Sequence, residues 1–159
     1  MLHKLRGVRI TGRVFIGDDV YLDNEYPEFI EIHDGAVICL RSTVLAHTSG
    51  PGKVVIGKNA FIGASSLIAV VGGNSLTIGE GAVIAAASVV NSSVQPHTLM
   101  GGPRARPLGR ATIPFTMDTP YHKFLSGIRP LEQKPSDRTG DPFESVAGPG
   151  EAPSRDCVE

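Results

Sequence analysis

Histidine side chains are the residues of this chain best suited to acid–base chemistry. The sequence holds five of them: His3, His33, His47, His97 and His122. An imidazole with an ordinary pKa of about 6.5 accepts a proton at neutral pH and can return it later in the same reaction. Which of the five lies where a reaction could occur depends on the elements that position them.

Aliphatic residues recur along the chain with a period of six. They form four triplets: Ile10, Ile16 and Leu22; Ile32, Ile38 and Val44; Ile56, Ile62 and Ile68; Ile78, Ile84 and Val90. This period fits neither an α-helix nor an alternating strand. It fits a chain wound as a triangular prism, with one short parallel strand on each side and each aliphatic side chain pointing to the axis. Gly or Ala often follows the aliphatic residue, which predicts tight turns at the corners.

The spacing of the triplets predicts where loops leave the prism. Triplets begin 22, 24 and 22 residues apart, which is three hexads of six, or 18 residues, plus inserts of four, six and four. All three inserts fall at one corner. His47 ends the second coil, directly before the longest insert, and it is therefore the candidate general base.

Stacking of the coils predicts a partner for His47. If the coils stay in register, Glu25 occupies the same column one coil earlier, about 4.8 Å away along the prism. A carboxylate there would hold one imidazole nitrogen and stabilise the imidazolium, as a triad acid does. Alternatively, Glu25 and His47 both point to water as a surface ion pair. A pH profile of Glu25→Gln separates the two interpretations.

The composition agrees with a narrow core and divides the chain. Of 159 residues, 41% are hydrophobic but 6% are aromatic, so β-branched and small side chains must fill the interior. Nine of the twelve prolines lie at or after Pro103, where a continuous sheet is disfavoured. We predict a repeat domain over 8–110, an extension with one short helix over 111–133, and a disordered tail over 134–159. In the helix we expect Tyr121, Phe124 and Leu125 to pack on the body.

Charge and hydropathy exclude several classes of partner. The 15 Lys and Arg residues nearly balance the 16 Asp and Glu residues, so no basic field is available for nucleic acid. No run of 18 apolar residues occurs, and the first residues lack an apolar stretch of signal-peptide length. These features predict a cytoplasmic protein without membrane insertion.

The six-residue repeat, the segment KVVIGKNAFIGA after His47 and the closing stretch VIAAASVVNSSVQPHTLMGGPRARPLGR resemble the hexapeptide-repeat acyltransferases, in particular serine, galactoside and other sugar acetyltransferases. The resemblance covers residues 8 to about 110. It implies an all-β fold, a left-handed parallel β-helix of four to five coils, in exception to the usual right-handed crossover. It also implies a homotrimer with each active site between two prisms.

The same resemblance implies an activity and a set of site residues. The activity is transfer of an acetyl group from acetyl-CoA to a hydroxyl of a sugar, a polysaccharide precursor or another small alcohol, with His47 as the general base. The pantetheine arm of the coenzyme would run beside small residues of successive coils, and its phosphates would meet cations after the last coil. The residues that match these roles are Gly63, Ala64 and Ala86 for the arm, and Arg104 and Arg106 for the phosphates.

Two alternatives stay open at this level. The first is a catalytically inert prism that binds or scaffolds other molecules, because the chain has one plausible catalytic histidine and a short insert after it. The second is an enzyme that acylates an amine. Metal catalysis is not expected, since His33 lacks the second and third histidines that carbonic anhydrase relatives of this fold use.

Overall fold

The computed structural model describes residues 2–48 and 50–131. A short helix, α1 (Leu2–Leu5), precedes twelve short strands. The strands are β1 (Arg9–Ile10), β2 (Phe15–Ile16), β3 (Tyr21–Leu22), β4 (Ile30–Ile32), β5 (Val37–Ile38), β6 (Thr43–Leu45), β7 (Lys53–Ile56), β8 (Phe61–Ile62), β9 (Leu67–Ala69), β10 (Ser75–Ile78), β11 (Val83–Ile84) and β12 (Val89–Val90). No helix within the described ranges is both long and apolar enough to cross a membrane.

The strands form the three sides of a parallel β-helix. The first face contains β1, β4, β7 and β10, the second β2, β5, β8 and β11, and the third β3, β6, β9 and β12. All these strands pair in parallel, and each aliphatic residue of a triplet pairs with its counterpart in the next coil, as Ile32 does with Ile56. The prediction of four stacked coils with a period of six is confirmed.

The core is a set of aliphatic columns along the axis. Eleven of the twelve triplet residues are buried, and Ile16 in the first coil is half-buried. Serines line one corner of this interior: the hydroxyl of Ser42 donates to the carbonyl of Gly63, 3.0 Å away in the next coil, and Ser66 donates in the same way to Ala85 at 3.1 Å. These bonds satisfy hydroxyls that would otherwise be buried without partners.

The corners turn at a different residue from the one expected. Six residues other than glycine have φ between 55° and 57°, all three places after an inward aliphatic residue: Asp19, Arg41, Asn59, Ser65, Ala87 and His97. The glycine directly after the aliphatic has another role. A Cβ on Gly57 would lie 2.7 Å from the carbonyl oxygen of Ile78, so this glycine permits close stacking of coils and does not supply the turn.

An antiparallel hairpin closes the prism after a partial fifth coil. Val94 bridges to Ile78, and the chain then enters β13 (Thr98–Gly101), which pairs with β11 on one side and with β14 (Arg106–Ala111) on the other. Helix α2 (Tyr121–Ser126) follows, and strand β15 (Ile128–Arg129) then pairs with β14 and extends the sheet of the second face. The period of six does not predict this hairpin.

The C-terminal extension, residues 112–131, covers part of the second face. Phe124 of α2 is buried and stacks on Phe115, with ring centroids 4.6 Å apart. The short helix is therefore confirmed, but Tyr121 and Leu125 are exposed because they lie on the solvent side of α2. The predicted tail over 134–159 lies outside the described residues.

Two neighbouring alanines test the corner geometry. Ala87 has φ of 56°, a left-handed conformation that costs an L-residue about 1–2 kcal/mol, whereas Ala86 beside it has no positive φ. We expect the free energy of unfolding of Ala87→Gly to exceed that of Ala86→Gly by about 1 kcal/mol or more. Both substitutions raise the conformational entropy of the unfolded chain equally, but only Ala87→Gly relieves backbone strain in the folded state. Chemical denaturation of both variants measures the difference, and equal destabilisation would contradict the corner assignment.

Candidate active site

His47 lies at the corner where the third face gives way to the first. It lies two residues after β6 and directly before the six-residue insert, in the loop that leads to β7. The insert is held closed because His47 and Pro51 form an antiparallel bridge and the amide of Gly52 donates to the carbonyl of Ala46 at 2.7 Å. The imidazole, with 30% of its side-chain surface exposed, is reachable from solvent on a fixed backbone.

A buried carboxylate, that of Asp23, holds the His47 ring. Asp23 follows β3 directly, one coil before His47, and its side chain is fully buried. Its Oδ2 accepts a hydrogen bond from the amide of Ala46 at 2.9 Å and contacts His47 Nδ1. Its Oδ1 accepts from the amides of Glu25 at 3.0 Å and Tyr26 at 3.3 Å. Both oxygens are thus satisfied, and the ring is fixed with Nδ1 toward the interior.

This pairing changes the acidity of both groups. The hydrogen bond to Asp23 raises the pKa of His47, and the charges of Asp23 and Glu25 act in the same direction against the opposing effect of desolvation. Burial alone would raise the pKa of Asp23, but its hydrogen bonds from His47 and from three backbone amides together lower it. The site therefore combines a carboxylate whose charged form is stabilised with an imidazole whose protonated form is stabilised.

Glu25 lies on the other side of the ring. Its Oε2 is 3.5 Å from His47 Nε2, and 65% of its side-chain surface is exposed. The predicted proximity of Glu25 and His47 is thus present, but the orienting role belongs to Asp23, because the buried Nδ1 is already engaged by that carboxylate. The exposed contact of Glu25 with Nε2 corresponds to the surface ion pair, the second of the two interpretations drawn from the sequence.

The sequence carries a signal for Asp23 that lies outside the hexad pattern. Asp23 stands one place after the last aliphatic of the first coil, where the second and third coils have Leu45 and Ala69. An acidic residue at a place that is apolar in the second and third coils predicts a specific partner, since an unpaired buried carboxylate is costly.

Comparisons with known proteins agree with this architecture. No protein-family model matches the sequence. A curated protein of Bacillus subtilis (strain 168) named "Putative acetyltransferase YvoF" is 33% identical over 85 residues, which is 50% of this chain and 47% of that protein. The chain therefore spans about half the length of this relative.

Solved structures extend the comparison to the fold. A mutant of AntD, an N-acyltransferase from Bacillus cereus, in complex with dTDP and coenzyme A, matches with a TM-score of 0.57 and 27% identity over 65% of this chain and 63% of that one. Serine acetyltransferase from Brucella abortus strain S19 matches with a TM-score of 0.55 and 26% identity, over 65% of this chain and 40% of that one. The hexapeptide-repeat acetyltransferase VCA0836 from Vibrio cholerae matches with a TM-score of 0.54 and 28% identity, over 65% of this chain and 62% of that one.

The predicted resemblance to the hexapeptide-repeat acetyltransferases is confirmed. The small residues predicted to line the coenzyme lie at the corner between the second and third faces. The amide of Ala87 donates to the carbonyl of Ala64, so the two coils stack closely there. Ala86 is exposed and Ala64 is half-buried, and neither carries a side chain beyond Cβ.

Gly63 differs from these alanines. It is buried, and a Cβ on it would lie 2.5 Å from the amide nitrogen of Ala86 and 2.7 Å from the carbonyl oxygen of Ile84. Its missing side chain therefore makes room for the next coil of the prism. A position of Gly63 beside the coenzyme stays a prediction from the resemblance.

The two predicted arginines lie on the closing hairpin. Arg104 is in the turn between β13 and β14, and Arg106 begins β14; both lie on the surface of the molecule. The turn stacks on the corner of Ala86, because Val89 donates to the carbonyl of Gly102. Within the described ranges, neither guanidinium forms an ion pair with a carboxylate, which suits them to bind phosphate.

Other polar features lie away from His47. In the described part of the chain, no group of three or more His, Cys, Asp or Glu residues is arranged to hold a metal ion. His33 instead bonds Glu31 at 2.9 Å. A pocket of about 340 Å³ lies at the corner between the first and second faces, lined in part by Arg13, Asp34 and Met117. It is not the site of His47, and the chemistry above does not use it.

The Asp23–His47 pair predicts a pH effect. We expect Asp23→Asn to lower the pKa of His47, because it removes the carboxylate bonded to Nδ1. In the wild type, the stability contributed by the raised pKa of His47 is fully present below about pH 6.5 and is lost as pH rises through that raised pKa. Asp23→Asn should lack this decline. NMR titration of the His47 ring and denaturation at several pH values measure both effects.

Glu25→Gln is the control for this measurement. It should lower the pKa of His47 by less, since Glu25 is exposed and acts only through its charge. An unchanged pKa in Asp23→Asn, or a larger change in Glu25→Gln, would contradict the assignment of Asp23.

Proposed function

We propose that this protein is an acetyl-CoA-dependent O-acetyltransferase that acts on a hydroxyl of a sugar, a polysaccharide precursor or another small alcohol. The observation that carries the proposal is the Asp23–His47 pair, in which a buried carboxylate fixes Nδ1 and leaves Nε2 toward the exposed insert corner. A purely scaffolding prism has no need of a fully buried charge beside a surface histidine, and the pair therefore favours an enzyme over an inert binding protein.

In the proposed reaction, His47 Nε2 takes the proton from the acceptor hydroxyl as its oxygen attacks the thioester carbon. The carbon–sulfur bond then breaks, and the imidazolium returns the proton to the departing thiolate, which leaves as free coenzyme A. Asp23 stabilises the positive charge that His47 carries between these two steps. The products are the acetyl ester and the thiol, so atoms and protons balance.

Coenzyme A is proposed to bind along the corner of Ala64 and Ala86, with its phosphates on Arg104 and Arg106. The absence of long side chains at the two alanines suits a narrow pantetheine arm, and the surface arginines suit phosphate. AntD, a structural neighbour, is described in complex with coenzyme A, which supports the same class of co-substrate for this chain.

A homotrimer is proposed from the resemblance, and the unequal faces support it. The second face is partly covered by the chain's own extension. The third face carries outward residues such as Tyr21, which is 41% exposed, and Leu67, which is half-buried. In the described part of the chain, the extension leaves the first and third faces, which meet at His47, to a second copy of the chain. A cytoplasmic location stays a prediction from the sequence.

The base is tested by replacing histidines singly. We expect His47→Ala to lower the rate of thiol release from acetyl-CoA in the presence of a sugar panel by about 10²- to 10⁴-fold, the usual contribution of a general base, with coenzyme A binding retained. His33→Ala is the matched control, because His33 pairs with Glu31 on the first face and should keep full activity.

Thiol release that survives His47→Ala would contradict the mechanism, and failure of the wild type to bind coenzyme A would favour the inert prism. Product analysis separates an ester from an amide. That distinction is needed because the neighbour AntD is an N-acyltransferase.

Removing the charge of Arg106 tests the proposed binding site for the phosphates of coenzyme A. We expect Arg106→Gln to raise the Kd for coenzyme A about tenfold at low ionic strength, because a charge-assisted bond to phosphate is lost. Binding of pantetheine, which lacks phosphates, should not change. Arg129→Gln is the control, since that guanidinium bonds carbonyls of its own segment. Equal weakening of coenzyme A and pantetheine would show that Arg106 does not bind phosphate.

A further inference from the structure

The Glu25 carboxylate has no role in the mechanism above, yet it lies beside the reactive nitrogen. Its Oε2 is 3.5 Å from His47 Nε2, and among the described residues its only ionic partner is that imidazole. We propose that Glu25 binds a cationic amino group of the acceptor, so that the acceptor is an amino alcohol or an amino sugar. This inference rests on the proposed function and names the acceptor class that its site selects.

The backbone of Glu25 is held by the same residue that holds the imidazole. Asp23 Oδ1 accepts the backbone amide of Glu25, while Asp23 Oδ2 contacts His47. The backbone from which Glu25 projects and the ring that takes the proton are therefore fixed relative to one another by one buried side chain. The Glu25 side chain therefore starts from a fixed point beside the ring, and a substrate that contacts both groups has only this one side chain to order.

The surrounding charge favours a cation at Glu25. Residues 14–40 contain seven acidic residues and no Lys or Arg, so the segment supplies no local cation to neutralise this carboxylate. The ring of Tyr26 is next to the site, with its centroid 5.3 Å from that of His47. An aromatic ring and a carboxylate together attract an ammonium group, the first through its π face and the second through its charge.

The short separation limits the shape of the acceptor. A hydroxyl bonded to Nε2 and an amino group bonded to Oε2 must lie within a few ångströms of each other, because the two acceptor atoms are 3.5 Å apart. Neighbouring carbons that bear an amino group and a hydroxyl meet this requirement. A neutral diol could bridge the same atoms, but its hydrogen bond to the carboxylate is weaker than that of an ammonium group.

Matched pairs of acceptors test the proposal. Glucosamine is compared with glucose, and 2-(dimethylamino)ethanol with 3-methylbutan-1-ol, its neutral analogue of similar shape. The protonated tertiary amine donates an N–H to a carboxylate but cannot form a stable amide, so its turnover reports O-transfer alone. We expect the cationic member of a pair to have a kcat/KM at least about tenfold higher, the size of one charge-assisted contact. Glu25→Gln should remove this preference, mainly through KM for the cationic acceptor.

Glu28→Gln is the control, because Glu28 is an exposed acid three residues further along the same insert and should leave the preference intact. The same compounds are also titrated while the His47 ring is followed by NMR, so that an acceptor that binds without turnover is still detected. A wild type that shows no preference for the cationic members in either assay overturns the proposal, as does a preference that survives Glu25→Gln.

The two proposals fail in different ways. Thiol release with neutral sugars, without preference for amino acceptors, would support the proposed acetyltransferase activity and contradict the proposed role of Glu25. Thiol release that is unaffected by His47→Ala removes the proposed mechanism, whatever the selectivity. Cationic ligands that perturb the His47 ring in a protein without thiol release support the Glu25 site and count against the enzyme.

Discussion

Residue-for-residue stacking of the coils is the constraint on which the rest of this structure depends. Each coil donates its amides to carbonyls of the next, as Phe61 does to Ala82 at 2.8 Å and Leu67 to Ser88 at 2.8 Å. A residue inserted into a strand would shift every later side chain off its column, so length changes are confined to the corners. The corner with the inserts is therefore where this fold accommodates residues outside the repeat, and His47 lies there.

The Asp23 carboxylate is the exception to an otherwise apolar interior near that corner. Taking a carboxylate out of water costs several kcal/mol, and the cost is recovered only when its oxygens are fully hydrogen-bonded. Amides of Glu25, Tyr26 and Ala46 and the ring of His47 supply those bonds. Because Asp23 organises both inserts at once, the geometry of the site and the local stability of the corner depend on the same side chain.

The columns could be predicted from the sequence because the period of six encodes them directly. Ile32, Ile38 and Val44 occupy their expected places, and so do their counterparts in the neighbouring coils. The corner contacts could not be predicted in the same way. Asp23 reaches Ala46 across 23 positions, through a direction that depends on the conformation of the first insert. The column of residues that the period predicts correctly places Glu25 beside His47. It does not specify which imidazole nitrogen Asp23 contacts and which one Glu25 contacts.

The C-terminal extension explains why the three faces of the prism are not equivalent. The outward residues of the second face are apolar, as in Phe61, Val83 and Leu99, and left uncovered they would form a continuous hydrophobic patch. Phe115 packs on Phe61 with centroids 4.6 Å apart, and Phe124 completes the cover. The chain thereby occupies the face farthest from the His47 corner with its own residues. Residues 112–131 leave the two faces that meet at this corner uncovered, so a neighbouring subunit that packs on either of them would lie beside the site and could complete it.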